Sequence, residues 1–188
     1  MNEILSKLTL LARRNGTRFG VPPFVLNPPL PKSEVAVWEA EHSVELPEDY
    51  RYFITNLGNG GYCPHGDMFK LEDWWWHLVD TEHQRKIWPS ALFAYELPTE
   101  LEGRCTPIEG SANSSLPPFA GTIGIADEGC GCLSILVLGG TLRGRVCGLD
   151  LIDDPYLYSQ PDFLSWYEAG LNVQLSINAR NPNVNRLP

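Results

Sequence analysis

Between Leu46 and Gly61 the chain commits to one helix and one sharp reversal. Pro47 suits the first turn of a helix, which does not use its missing N–H, and Glu48 and Asp49 suit that helix's positive end. Leu46, Tyr50, Phe53, Ile54 and Leu57 recur at i, i+4, i+7, i+8 and i+11, one apolar stripe that needs a core to face. Asn59-Gly60-Gly61 then stops the helix, because glycine tolerates the left-handed backbone of a helix end and a tight turn. Trp38 lies one helix upstream, in a segment for which Ser33 is the candidate N-cap. The ordered pattern is Trp, then Leu-Pro-x-x-Tyr, then Asn-Gly-Gly.

Around this centre the rest of the chain divides into helical and extended parts. Residues 2–14 read as a helix with Ile4, Leu5, Leu8 and Leu11 on one side, and Arg13 and Arg14 at its negative end. Prolines 22, 23, 28, 29 and 31 make the stretch Val21 to Pro31 a stiff connector. It is expected to lie along the body as a strap, the alternative being a proline ligand for an aromatic groove. Met68 to Leu71 reads as a short strand. An extended Trp74-Trp75-Trp76 would send Trp74 and Trp76 to one face and Trp75 to the other. Residues 77–118 carry the weakest signal: a polar patch, a turn of helix near Ser90 to Tyr95, and a loop rich in Ser, Pro and Gly.

From residue 119 onward strands are predicted at Thr122 to Ala126, Cys132 to Leu138 and Arg145 to Leu151, with glycine turns at 129–131 and 139–144. Leu133 to Leu138 is apolar on both faces, as a central strand covered on both sides must be. Pro161 opens a last helix with Phe163, Trp166 and Tyr167 on one face and Gly170 as a candidate stop, and a tail follows from about Ala179. The fold class is α+β, an antiparallel meandering sheet flanked by helices.

The Trp38, Leu46-Pro47-x-x-Tyr50 and Asn59-Gly60-Gly61 pattern resembles the SUKH superfamily, the Smi/Knr-like domains whose bacterial members mostly serve as immunity proteins against secreted toxins. Ile123-Gly124-Ile125-Ala126-Asp127-Glu128-Gly129 with the run Cys132 to Leu138 is similar to that family's central hairpin. Gly144-Arg145-Val146 resembles its next strand, and Asp162-Phe163-Leu164-Ser165-Trp166 its closing helix. The likeness covers roughly residues 33 to 172. It implies that Trp38, Leu46, Tyr50 and Trp166 build the core and that Gly60 and Gly61 shape the turn. The expected organisation has three parts: residues 1–31, an N-terminal helix and proline-rich strap packed on the body; 32–178, a SUKH-like domain by this resemblance; and 179–188, a C-terminal tail. The chain departs from the family at Tyr62-Cys63-Pro64-His65-Gly66-Asp67, where members often have a glycine-rich loop and a short Leu-containing strand. The three consecutive tryptophans are a second departure, and together they point to a specialised binding face.

A chain of 188 residues can bury about 70% of its unfolded surface in one domain. Its 43% hydrophobic and 20% charged residues describe an ordinary soluble globule. No window approaches the ~20 apolar residues of a membrane span. Glu3 and Lys7 interrupt the first apolar stretch, which has no small-residue cleavage site and reads as an amphipathic helix, so a cytoplasmic location is expected. Five cysteines, an odd number, fit reduced thiols. The net charge of −9 is uneven: residues 32–170 hold 22 acids against 8 bases, a balance of −14. Such a body repels nucleic acid and steers a basic protein toward itself.

Chemistry-bearing motifs are sparse. Cys63, His65, Cys130 and Cys132 form the one candidate metal set, but their Cys-x-His and Cys-x-Cys spacings are not zinc knuckles. No Gly-x-Ser-x-Gly elbow occurs, and Gly139-Gly140-Thr141 lacks the Lys-Ser/Thr ending of a phosphate-binding loop. The adjacent acids Asp127-Glu128 and Asp153-Asp154 read as solvated turn residues. No metal, no cofactor and no catalysis are therefore expected, a metal-dependent enzyme on the two cysteine loops being the third-ranked class. An indole beside Glu72, Asp73 and Asp80 has the makings of an interface anchor. The candidate partner-binding residues are Tyr62, Asp67, Glu72, Asp73, Trp75, Asp127 and Glu128. The expected function is an immunity protein that occludes a cognate, basic toxin, a nuclease among the candidates, with no direct contact to nucleic acid or membrane. The alternative is a SUKH-like scaffold or regulatory module binding a housekeeping protein.

Overall fold

Proline punctuates the first half of the chain, and helices begin where it does. α1 (Asn2–Asn15) is followed by α2 (Lys32–His42), directly after Pro31, and α3 (Glu48–Asn56), directly after Pro47. Both prolines hold extended backbone, with ψ of 139° and 138°, the geometry they favour just outside a helix. Ser33 thus falls inside the first turn of α2 and does not cap it. The computed structural model describes residues 2–15, 24–75, 78–79, 81–96, 103–107, 119–150 and 155–180.

Past α3 come β1 (Gly61–Cys63) and β2 (Gly66–Met68), a 3-10 turn over Leu71–Asp73, and α4 (Glu82–Ile87). Short strands β3 (Tyr95–Glu96), β4 (Gly103–Arg104) and β5 (Thr106–Pro107) precede the long meander of β6 (Thr122–Gly129), β7 (Cys132–Val137) and β8 (Val146–Asp150). β9 (Tyr156–Leu157) and α5 (Phe163–Arg180) complete the described elements. Among the described residues, the main sheet has seven strands in the order β1-β2-β6-β7-β8-β9-β4, antiparallel at every pairing, and β3 pairs with β5 apart from it. The class is α+β.

β7 sits at the centre of that order, and Leu133 through Leu138 are all buried, which is why its sequence is apolar on both faces. Trp38, Leu46, Tyr50 and Trp166 are buried as well. α3 and α5 join through aromatic edges: the Phe163 ring lies 4.9 Å from Tyr50 and 5.1 Å from Phe53, and Tyr167 lies 4.9 Å from Phe53. α1 buries Ile4, Leu8 and Leu11, and its Lys7 ammonium bridges Glu3 and, on α5, Glu168.

The described part of the proline strap runs along the open edge of β1. Leu26 bridges Gly61, Asn27 N–H donates to Gly60 at 3.0 Å, Tyr62 N–H donates to Val25 at 2.9 Å, and Leu30 N–H reaches Ile54 at 2.8 Å. The bonds at Gly61 and Tyr62 take up edge groups that would otherwise invite another strand, while the Leu30 bond satisfies a carbonyl in the last turn of α3. Gly61 makes the approach possible: its φ is +101°, and a Cβ there would stand 2.6 Å from the Val25 carbonyl oxygen.

Several sequence expectations need correction. Trp74 is helical (φ −52°, ψ −26°) and follows the 3-10 turn, so the tryptophan run is not extended at that residue. The strand expected at Met68 to Leu71 ends at Met68, and Leu71 already begins that turn. Helix expected near Ser90 to Tyr95 lies earlier, at α4, where Thr81 accepts the Gln84 N–H as an N-cap. Gly170 does not end α5, which continues to Arg180 and so past the point at Ala179 where the tail was placed. Its lack of a side chain serves packing: a Cβ at Gly170 would meet Pro64 Cβ at 2.6 Å and His65 Nε2 at 2.7 Å. Trp76, Asp80, Pro22, Pro23, Asp153, Asp154 and the rest of the tail lie outside the described residues. Among the described residues, no helix is long and apolar enough to cross a membrane.

Candidate functional site

The register of the β1–β2–β6 edge sets acids against each other. Asp67 on β2 faces Tyr62 on one side and Asp127 on the other. Asp67 is exposed, and among the described residues neither acid makes an ion pair. The Asp127 Oδ1 accepts the Gly129 N–H at 2.7 Å, closing the tight turn into β7. Tyr62 is half-buried, its ring edge-on to Phe24 at 4.3 Å, and its carbonyl accepts the Tyr167 hydroxyl at 2.9 Å. Burial drives the Tyr62 hydroxyl pKa upward, so it stays a neutral donor.

Glu72, Asp73 and Trp75 form a second group around the 3-10 turn. Glu72 is exposed, accepts from the buried Asn59 side chain at 2.9 Å and stands 3.9 Å from the Lys70 ammonium. The Trp75 indole N–H donates to the Glu72 carbonyl at 3.1 Å. The Arg85 guanidinium of α4 lies 3.3 Å from the centre of the Trp75 ring. Trp75 therefore presents a half-buried, cation-covered ring and not the bare anchor the sequence suggested. Among the described residues, no side-chain hydrogen bond or ion pair joins Glu72, Asp73 or Trp75 to the β1–β2–β6 edge, and the backbone link between them is the Gly124 N–H of β6 donating to the Trp74 carbonyl at 3.0 Å.

Glu128 belongs to a third arrangement. The β6–β7 register slips between Asp127 and Gly129, leaving Glu128 as the extra residue of a bulge, on the same face as Ala126 and Ser134. Its Oε1 accepts the Tyr158 hydroxyl at 2.7 Å and the Ser134 hydroxyl. The Tyr158 hydroxyl stands 3.3 Å from that of Tyr156. Ser134, Gly148 and Tyr156 lie directly across from one another on β7, β8 and β9, and the Tyr156 ring covers Gly148. His65 closes the group, stacked on Trp166 at 4.8 Å and 5.9 Å from the Tyr158 ring. Burial raises the pKa of both tyrosines and lowers that of His65, whose ring the Glu128 charge pulls the other way. The group is thus half-buried, with one carboxylate amid neutral hydroxyls and a neutral imidazole.

Sequence reasoning found Glu128 but not its partners. Two signals pointed to them: Tyr156 and Tyr158 alternate with the period of a strand, and Gly148 inside a strand marks a close approach. The cysteine set resolves differently. Cys63 is buried with its thiol pushed up to about 12 by desolvation, Cys130 is exposed in the turn, and Cys132 is half-buried. Among the described residues, no group of three or more His, Cys, Asp or Glu side chains is placed to hold a metal ion. Cys147 lies beside Cys105, whose hydrogen bond, with burial, holds its thiol well above the ordinary value, so neither Cys63 nor Cys147 is an activated nucleophile. What this surface offers is carboxylate acceptors, tyrosine hydroxyls and partly covered aromatic rings. Comparison with protein-family models, with curated proteins and with solved structures returns no match.

Proposed function

We propose that the chain is a SUKH-like binding protein, an immunity protein that neutralises a cognate bacterial toxin by occluding it with an acidic face. The observation that carries the reading is the Asp67–Asp127 pair, two acids directly opposed across β2 and β6 with no ion pair to either among the described residues. Like charges so placed weaken a sheet, and a basic partner laid over them turns that repulsion into attraction. The excess of acids over residues 32–170 supplies the long-range steering. The succession of a Trp38 helix, α3, a glycine turn, a hairpin, the β6–β8 meander and a Trp166 helix supports the SUKH-like fold. The strap is already bonded to β1, which favours occlusion by the acidic face over recognition through the prolines.

The test is co-expression with the product of the gene immediately upstream, measuring complex formation and cell survival. A stable complex, with survival only when this chain is present, is the expected result. Survival without the chain, or no complex at low salt, overturns the toxin reading in favour of a scaffold or regulatory module. In the complex, Asp67→Lys is expected to slow association and reduce its salt dependence while leaving the fold intact, because the side chain is exposed.

A further inference from the structure

We propose that Glu128, with Tyr156 and Tyr158, seats one arginine side chain of the partner, an assignment that rests on the acidic-face reading and names its chemistry. Three observations converge on it. Glu128 is the extra residue of the bulge between Asp127 and Gly129, and its carboxylate reaches Ser134 and Tyr158. Both of these hydroxyls bond to Oε1, so the carboxylate is oriented by one oxygen while Oε2 is taken up by neither. The negative charge has no counterpart: among the described residues Glu128 makes no ion pair. His65 is held neutral by burial, and Arg145 spends its Nη2 on the Tyr158 carbonyl at 2.8 Å.

A purely architectural role would need only an acceptor at this point, which a glutamine oxygen supplies as well. A half-buried carboxylate left without a cation is disfavoured by desolvation, and a fixed cation from a partner removes the deficit. The neighbouring rings select the cation. Tyr156 and Tyr158 are both half-buried, their centroids 5.4 Å apart at 63°, and set two rings beside the carboxylate. A planar guanidinium can stack against such a ring while donating to Oε2, whereas a compact, strongly hydrated ammonium meets the same groups as a point charge without that planar match.

The intact chain should be titrated with N-acetyl-arginine amide and followed by NMR at the Tyr156 and Tyr158 ring resonances. Saturable shifts are expected, weakened about tenfold or more in Glu128→Gln, the scale of losing a charge-assisted hydrogen bond. Glutamine keeps the acceptor for Ser134 and Tyr158, and the amide spectrum checks that the variant is folded. N-acetyl-lysine amide should bind more weakly than the arginine analogue. The assignment is overturned by unsaturable or absent shifts in the unsubstituted chain, by equal shifts in folded Glu128→Gln, or by equal affinity for the lysine analogue. Because the probe is a small cation, a null result here with a stable toxin complex removes only the subsite. Arginine binding without toxin protection removes only the toxin reading.

Discussion

Asn59 places Glu72: its Nδ2 donates to the Glu72 Oε2 at 2.9 Å while its Oδ1 accepts the buried Leu71 N–H at 2.8 Å. The asparagine that precedes the two glycines thus ties the end of α3 to the 3-10 turn carrying part of the acidic surface. Truncating it leaves the Leu71 N–H buried and unpaired. Asn59→Ala is expected to destabilise the fold by about 1–3 kcal/mol in urea denaturation. Glu72→Ala should stay within about 0.5 kcal/mol, because the carboxylate is exposed and water replaces it. Equal losses in the two variants would show that the pair, and not the Leu71 bond, carries the stability.

Gly148 is required by Tyr156. A Cβ at position 148 would stand 2.0 Å from Tyr156 Cζ and 2.3 Å from its hydroxyl oxygen, so the ring has to leave its place across the sheet. Gly148→Ala is expected to cost about 1–3 kcal/mol by overpacking. The loss should shrink when Tyr156→Ala is present, since the clash is then gone, and a double-mutant cycle reads that coupling directly. Strictly additive losses would mean that the glycine is there for another reason.

The legible part of this molecule was the part written by periodicity. The α3 stripe and the aromatic face of α5 repeat with helical spacing, the apolar run of β7 was marked as a strand by its short length between glycine turns, and all of these residues are buried as expected. The tryptophan run misled because three large apolar residues in a row carry no period. What sets the conformation at Trp74 is the 3-10 turn held by Asn59, twelve residues from Leu71 in sequence. Gly170 misled for the opposite reason. Glycine ends many helices, but here its missing side chain makes room for Pro64 and His65 from the β1–β2 turn, a tertiary demand no local reading contains. The Glu128 group was legible only in fragments, because Glu128, Ser134, Gly148 and Tyr156 come from four strands and only the register between the strands decides which of them meet.

His65 makes stability depend on pH in a stated direction. Its ring is packed between Trp166 and the α5 backbone at Gly170, with Tyr158 and the Glu128 carboxylate nearby, and burial holds its pKa below the ordinary 6.5 while Glu128 opposes the shift. Unfolding exposes the imidazole and lets it take a proton more readily, so in acid the unfolded chain binds more protons. The stabilising contribution is fully present above the unfolded value and is lost as pH falls through it toward the lower folded value. Asp49 acts in the opposite sense, since burial raises its carboxyl above the ordinary 3.8 and acidification then favours the folded chain. Thermal melts from about pH 7.5 to about pH 5 span the His65 window. His65→Phe keeps a flat ring against Trp166 and is expected to lose less melting temperature over that range than the unsubstituted chain, with Asp49→Asn as the control for the opposing group. Parallel slopes for His65→Phe and the unsubstituted chain would assign the acid sensitivity to another residue.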